Sequence, residues 1–143
     1  MSADRYAPKL TLQTRWKDND VYGHVNNVEY YSFFDTAINS WLISEGGLDI
    51  EKGPVIGLCA ESHCSFQAAL TFPESVDVHL RVDELGRSSV RYGLAITRAG
   101  QAELAAEGWF VHVFVDRETR RPAEMPEQVR RSLERLVSRG AGA

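Results

Sequence analysis

Cysteine is scarce in this chain: there are two, Cys59 and Cys64. An offset of five places them on opposite faces if the segment is one strand, which argues against a bridge between them, and both read as free thiols, buried or partly buried. Long apolar runs are also missing. None approaches the ~20 residues that a membrane span needs, and the start, MSADRYAPK, has no signal-peptide core. A cytoplasmic protein with no membrane partner is expected. Positive charge is not in excess either. Sixteen Lys and Arg stand against twenty Asp and Glu, for a net charge of -4, which argues against nucleic acid as a partner. No HExxH or CxxC spacing joins His24, His63, His79 and His112, so no metal site is expected. Repeats and low-complexity linkers are absent, and residues 1–143 read as one domain with room for a core.

What is present is concentrated in Thr14–Glu45. This stretch reads as the end of a strand, a polar turn rich in Asp, Gly and Asn, and a long apolar helix. Asn26 suits an N-cap, and Glu29 three residues on completes an Asn version of the capping box. Val28, Tyr31, Phe34, Ile38, Trp41 and Leu42 recur at helical spacing, widened by Phe33 and Ala37. Most of the circumference is apolar, so the helix is expected to be buried on more than one side. Gly46-Gly47 supplies its stop.

Ahead of the helix, Leu10, Leu12, Thr14 and Trp16 alternate with polar residues, a half-buried strand. Behind it, Leu48–Pro54 reads as a loop and Val55–Phe72 as a long strand that bends near Glu61–Ser65. After the turn Pro73-Glu74-Ser75, Val76, Val78, Leu80 and Val82 form another strand. Leu85-Gly86-Arg87-Ser88 is a hairpin connection into Val90, Tyr92, Leu94 and Ile96. Ala99-Gly100 turns the chain into Ala102–Asp116, where Trp109, Val111, Val113 and Val115 share a parity. Pro126 opens a terminal helix with a Val129, Leu133, Leu136, Val137 stripe, ended by Gly140, and Ala141–Ala143 should fray. Four consecutive strands joined by short turns should pair antiparallel. The fold class is therefore α+β, with an antiparallel sheet of five or six strands wrapped around one long central helix and a short C-terminal helix beside it.

That layout, with W-K-D-N-D-V-Y-G-H-V-N-N-V-E-Y-Y at Trp16–Tyr31, resembles the hotdog-fold acyl-CoA thioesterases, and more narrowly the 4-hydroxybenzoyl-CoA thioesterase family. The resemblance runs from the first strand to D-R-E-T-R-R-P at Asp116–Pro122. It implies that Asp20, the second acid of the D-x-D turn, is the catalytic carboxylate. It also implies that the Asn27 amide at the helix start polarises the thioester carbonyl, and that the protein is a dimer or tetramer with sites at the subunit interface. Many relatives carry Pro-Ala where this chain has Val21-Tyr22, which bears on acyl preference rather than on the chemistry. Hydratases of this fold carry D-x-N-P-x-H, which neither Asp18 nor Asp20 forms with His24, so a hydratase is the weaker alternative. A domain that binds acyl-CoA or acyl-carrier protein without turnover is another.

The residues suit thioester hydrolysis. A leaving thiolate with a conjugate-acid pKa of roughly 8.5 needs no strong general acid, so one carboxylate and an oxyanion site suffice. Unsatisfied amides at a helix N-terminus carry about half a positive charge and serve as such a site. From the residues alone Asp20 is first a turn aspartate that caps local amides; the resemblance makes it catalytic, and leaves Asp18 the structural role. Gly23 permits a backbone conformation that other residues resist, and His24 reads as shaping the pocket floor. Glu61 and Ser65 are candidate pocket residues on the second strand, set against a plain solvent-exposed face. Arg87 with Ser88, and Arg120 with Arg121, are candidates for the phosphates of coenzyme A, set against a solvated charge run. Coenzyme A enters as part of the substrate, and no cofactor is expected.

Overall fold

The computed structural model describes residues 6 and 8–141. The expectations for the start MSADR and for the last two residues lie outside the described residues. Strand β1 (Lys9–Gln13) leads through a single 3-10 turn (Trp16–Asp18) to helix α1 (Asn27–Ser44). Strands β2 (Val55–Phe66), β3 (Ser75–Leu85), β4 (Ser89–Arg98) and β5 (Leu104–Asp116) follow, and helix α2 (Glu127–Ala141) closes the chain. The five strands make one antiparallel sheet in the order β1-β3-β4-β5-β2. This is the α+β hotdog arrangement, with five strands rather than six. Among the described residues no helix is long and apolar enough to cross a membrane.

The order of strands departs from simple succession at one place. β3, β4 and β5 pair in sequence, but β2 pairs with β5 and not with β3. β1 and β2 are thus the two edges of the sheet, and α1 carries the chain across its face from one to the other. The return from β2 to β3 runs through residues 67–74, a segment too long for a tight turn. It is tied back instead: the Gln67 and Ala68 N–H groups both donate to the Ala105 carbonyl.

Local chemistry moves several boundaries. The first strand ends at Gln13, not Trp16, because the Asp18 carboxylate accepts the Arg15 N–H at 2.8 Å and draws the chain into a turn. Trp16 is left 78% exposed. The strand after α1 ends at Phe66, with a bulge between Cys59 and Glu61, just before the expected bend. Asn26 does cap α1, its side chain accepting the Val28 N–H at 3.1 Å. The reciprocal half of the capping box is absent, because Glu29 turns toward Arg15 (3.7 Å). α2 continues one residue past Gly140, within the usual fraying of helix ends.

Within the core, Phe34, Ile38 and Leu42 of α1 are fully buried against the sheet, with Tyr30, Phe33 and Ala37 beside them. Each large side chain contributes about 1.5–3 kcal/mol by leaving water. Val28 is 66% exposed and falls outside this stripe. Gly108 of β5 is what lets the helix lie so close. A Cβ there would stand 2.8 Å from the Phe34 ring and 2.1 Å from the His63 carbonyl. On β5 the shared parity of Trp109, Val111, Val113 and Val115 proves to be the outer face, half-buried except at Val115, which is buried. Phe110, His112 and Phe114 are the buried set, joined by Tyr92 of β4. From Trp109 to Val115 both parities are apolar apart from His112, so alternation alone did not rank them. His112 stays in the core by bonding the Tyr92 hydroxyl at 3.2 Å through Nδ1, and burial pushes its pKa down to about 4. α2 adds Val129, Leu133 and Leu136 to the same core.

Candidate active site

The polar turn between β1 and α1 is a small closed loop. Asn19 and Val25 form an antiparallel bridge, the Asp20 N–H donates to the His24 carbonyl at 2.9 Å, and the Gly23 N–H to the Asp20 carbonyl at 3.0 Å. Gly23 has φ +82, the left-handed conformation that this tight reversal requires. The two acids of the turn divide sharply. Asp18 is fully buried and spent on structure, accepting from the Arg15 N–H and from its guanidinium (Nη2 3.0 Å, Nε 3.3 Å). Asp20 is half-buried, with Oδ1 accepting the Tyr22 N–H at 2.9 Å. Its Oδ2 has no partner among the described residues.

Residues 67–72 hold this turn in place, a role not visible in the sequence. The Val25 N–H donates to the Leu70 carbonyl (2.7 Å), and the Thr71 hydroxyl donates to the Gly23 carbonyl (2.9 Å). Asn19 accepts the Phe72 N–H (3.1 Å) and donates to the Thr71 hydroxyl (3.3 Å). Their sequence signal was weak, since an apolar run reads as strand whether or not it pairs.

Two clefts open on either side of the turn. One, of about 800 Å³, is walled by Trp16, Lys17, Val21 and Tyr22. The other, of about 410 Å³, is walled by His24, Tyr30, Phe66, Gln67 and Ala68. Asp20 and Asn27 line both. Asn27 is the first residue of α1, so its N–H stands ahead of the intrahelical ladder at the positive end of the helix dipole. A free carboxylate oxygen and an uncommitted helix-start amide on one border can flank a carbonyl. Gly23 belongs to the larger cleft, and His24 enters the smaller one while its carbonyl serves the turn. Phe66 and Gln67, not anticipated from sequence, supply the far wall. Cys64 does not compete as a nucleophile: burial pushes its thiol up to about 12, so it is not a thiolate at neutral pH.

The remaining candidates lie elsewhere in the chain. Glu61 is exposed on the bare edge of β2. Ser65 bonds His63 (3.2 Å) on the outer sheet face, where His63 stacks on Trp109. Arg87 and Ser88 form the β3–β4 turn, with Arg87 in an exposed pair with Glu124 (3.4 Å). Arg120 and Arg121 follow β5, in a loop where Arg120 has φ +64. The chain brings these two arginine segments to one end of the sheet, since the Met125 N–H donates to the Arg87 carbonyl. The Asp20 turn is at the other end. The ten residues of β4 separate them by about 30 Å.

The pattern of a thioesterase family fits residues 14–133 of this chain, under the description thioesterase-like superfamily. The chain belongs to that superfamily. Among solved structures it is similar to the PA5185 protein of Pseudomonas aeruginosa strain PAO1, at 50% identity over 94% of each chain and a TM-score of 0.93. It shares its fold with Slr0204 of Synechocystis, a 1,4-dihydroxy-2-naphthoyl-CoA thioesterase. There the identity is 21% over 90% of this chain and 96% of that one, with a TM-score of 0.81. The fold also recurs in SAV2348 of Staphylococcus aureus, seen in complex with CoA, at 18% identity over 92% and 84% of the two chains and a TM-score of 0.83. No curated protein matches the chain.

Proposed function

We propose that this superfamily member is an acyl-CoA thioesterase, hydrolysing a CoA thioester to a free acid and CoA, with Asp20 as its carboxylate. The observation that carries this reading is that Asp20 and Asn27 border the same two clefts at the mouth of α1. The thioester carbonyl oxygen takes the Asn27 N–H, and the helix dipole stabilises the charge that builds there. The free Asp20 oxygen then acts in one of two balanced ways. It attacks the carbonyl carbon, expelling CoA thiolate and leaving a mixed anhydride that water cleaves to restore the carboxylate. Otherwise it takes a proton from a water that attacks instead, and that proton passes to the departing thiolate. CoA is bound by a neighbour of the same fold, and it enters this reading only as part of the substrate; an acyl-carrier protein would present the same thioester.

The reading includes a second copy of the chain. β2 is a bare twelve-residue edge with Cys59–His63 exposed, a pairing template that a two-fold partner can occupy. Antiparallel pairing of two β2 edges would lay the Arg87 and Arg120-Arg121 end of the partner beside the Asp20 end of the first chain. That arrangement would supply cations for the CoA phosphates. The deciding experiment is release of free thiol from a panel of acyl-CoAs by the wild type and by Asp20→Asn, with mass measured by light scattering. Thiol release that is lost in the variant, from a dimer or tetramer, is the expected result. An unchanged rate removes Asp20 from the chemistry, and a monomer at micromolar concentration removes the partner arginines.

A further inference from the structure

Of the aromatic side chains near α1, most are spent on the core: Tyr30 and Phe33 are buried, and Tyr31 and Trp41 pack against them. The turn is different. Trp16 is 78% exposed, Val21 94% and Tyr22 82%, and all three wall the larger cleft beside Asp20. Contiguous exposure of large apolar side chains at one site marks a surface built to be covered. None of the three is held by the fold in a way that explains its identity. Trp16 touches Phe72 edge-on at 6.0 Å, and the Tyr22 contribution to the turn is a backbone N–H.

The two clefts also differ in what they offer. The smaller has a side-chain amide at Gln67 and an imidazole at His24. Those are partners for a thin arm that carries amides. The larger presents an indole, a phenol ring and an isopropyl group, with Lys17 at the rim. Resting on the thioesterase reading above, we infer that the clefts divide the substrate at its thioester. The apolar acyl group, aromatic or medium-chain, lies between Trp16, Val21 and Tyr22, and the amide-bearing arm of CoA lies past Gln67. Trp16 and Tyr22 are then the residues that set acyl preference.

Because both side chains stand largely clear of the fold, Trp16→Ala and Tyr22→Ala should keep the structure, which circular dichroism checks. Two readouts test the assignment on the full-length protein. In turnover, the ratio of kcat/KM for decanoyl-CoA to that for acetyl-CoA should fall tenfold to a hundredfold in either variant, about what loss of apolar contacts costs in discrimination. In binding, the non-hydrolysable thioether S-decyl-CoA should bind wild type at least tenfold more tightly than CoA does, and Trp16→Ala should erase most of that advantage. A ratio that does not move overturns the assignment, as does weaker binding of CoA itself in step with the thioether. The latter result would put the nucleotide end of CoA on Trp16 and Lys17. If wild type releases thiol from no acyl-CoA, the thioesterase reading fails by itself, and the S-decyl-CoA comparison still decides what the cleft holds.

Discussion

Two aspartate-led turns stand at opposite ends of the sheet, and they show how little such a turn means alone. At one end Asp20 accepts a backbone N–H two residues on, with Gly23 left-handed after it. At the other, Asp116 accepts the Glu118 and Thr119 N–H groups, both at 2.9 Å, with Arg120 left-handed after it. Those two amides hold the Asp116 carboxyl below the usual carboxylate range. The difference is in the surroundings. The loop after β5 closes on itself: the Asp116 N–H meets the Arg121 carbonyl, the Arg120 N–H meets the Asp116 carbonyl, and Val115 bridges Pro122. The Asp20 turn instead runs straight into a helix start and opens onto two clefts. What sets the two turns apart is what each one faces.

The sharpest way to break this contrast is to neutralise each acid in turn. Asp20→Asn should lower thiol release by about 10³-fold or more, roughly 4 kcal/mol of barrier, with the melting curve nearly unchanged. Asp116→Asn should do the reverse, changing turnover less than threefold while lowering stability measurably. Comparable activity losses in both would mean that neither turn is special.

Acid titration separates damage to the core from damage at the turn. His112 is neutral in the fold, with a pKa near 4 against about 6.5 when unfolded. Its folded value is depressed, so the unfolded chain binds the extra proton first. The associated stability is whole above about pH 6.5 and drains as pH falls toward 4, by about 3 kcal/mol in all. Urea unfolding between pH 7 and pH 4 measures this loss, and His112→Gln should flatten the slope. An unaltered slope would assign the acid sensitivity to other groups.

The smallest expected effect compares the two left-handed positions. Gly23→Ala meets no atom within 4 Å, so its cost is backbone strain alone, about 1 kcal/mol, together with a fall in turnover as Asp20 shifts. Arg120→Gly relieves a similar strain but frees the unfolded chain. Its melting point should move little, and weaker CoA inhibition would then report the guanidinium itself.

Much of the fold was legible because the apolar spacing was strong. α1 followed its Phe34, Ile38, Leu42 stripe, β3 and β4 followed strict alternation, and Gly46-Gly47 ended the helix, with the Leu48 N–H returning to the Leu42 carbonyl (3.0 Å). What stayed hidden depends on long-range partners. Nothing local says that β2 pairs with β5, that Gly108 must stay bare for Phe34, or that Phe66 and Gln67 face the Asp20 turn. At the site, D-x-D with G-H marked the turn, yet only coordinates distinguish a saturated Asp18 from a half-used Asp20. Trp16 misled for a physical reason: its alternation continued past the point where the Asp18 carboxylate bends the backbone away.

Residues 67–72 both clasp the turn and wall its smaller opening. The Leu70 carbonyl and the Thr71 hydroxyl grip the loop that carries Asp20, while Ala68 and Ala69, one or two positions earlier, border the space beside it. Anything that wedges into that space therefore leans on the same backbone that aims the carboxylate. Occupancy and aim are geared together, and a snug guest in that opening would tighten the setting of the Asp20 side chain.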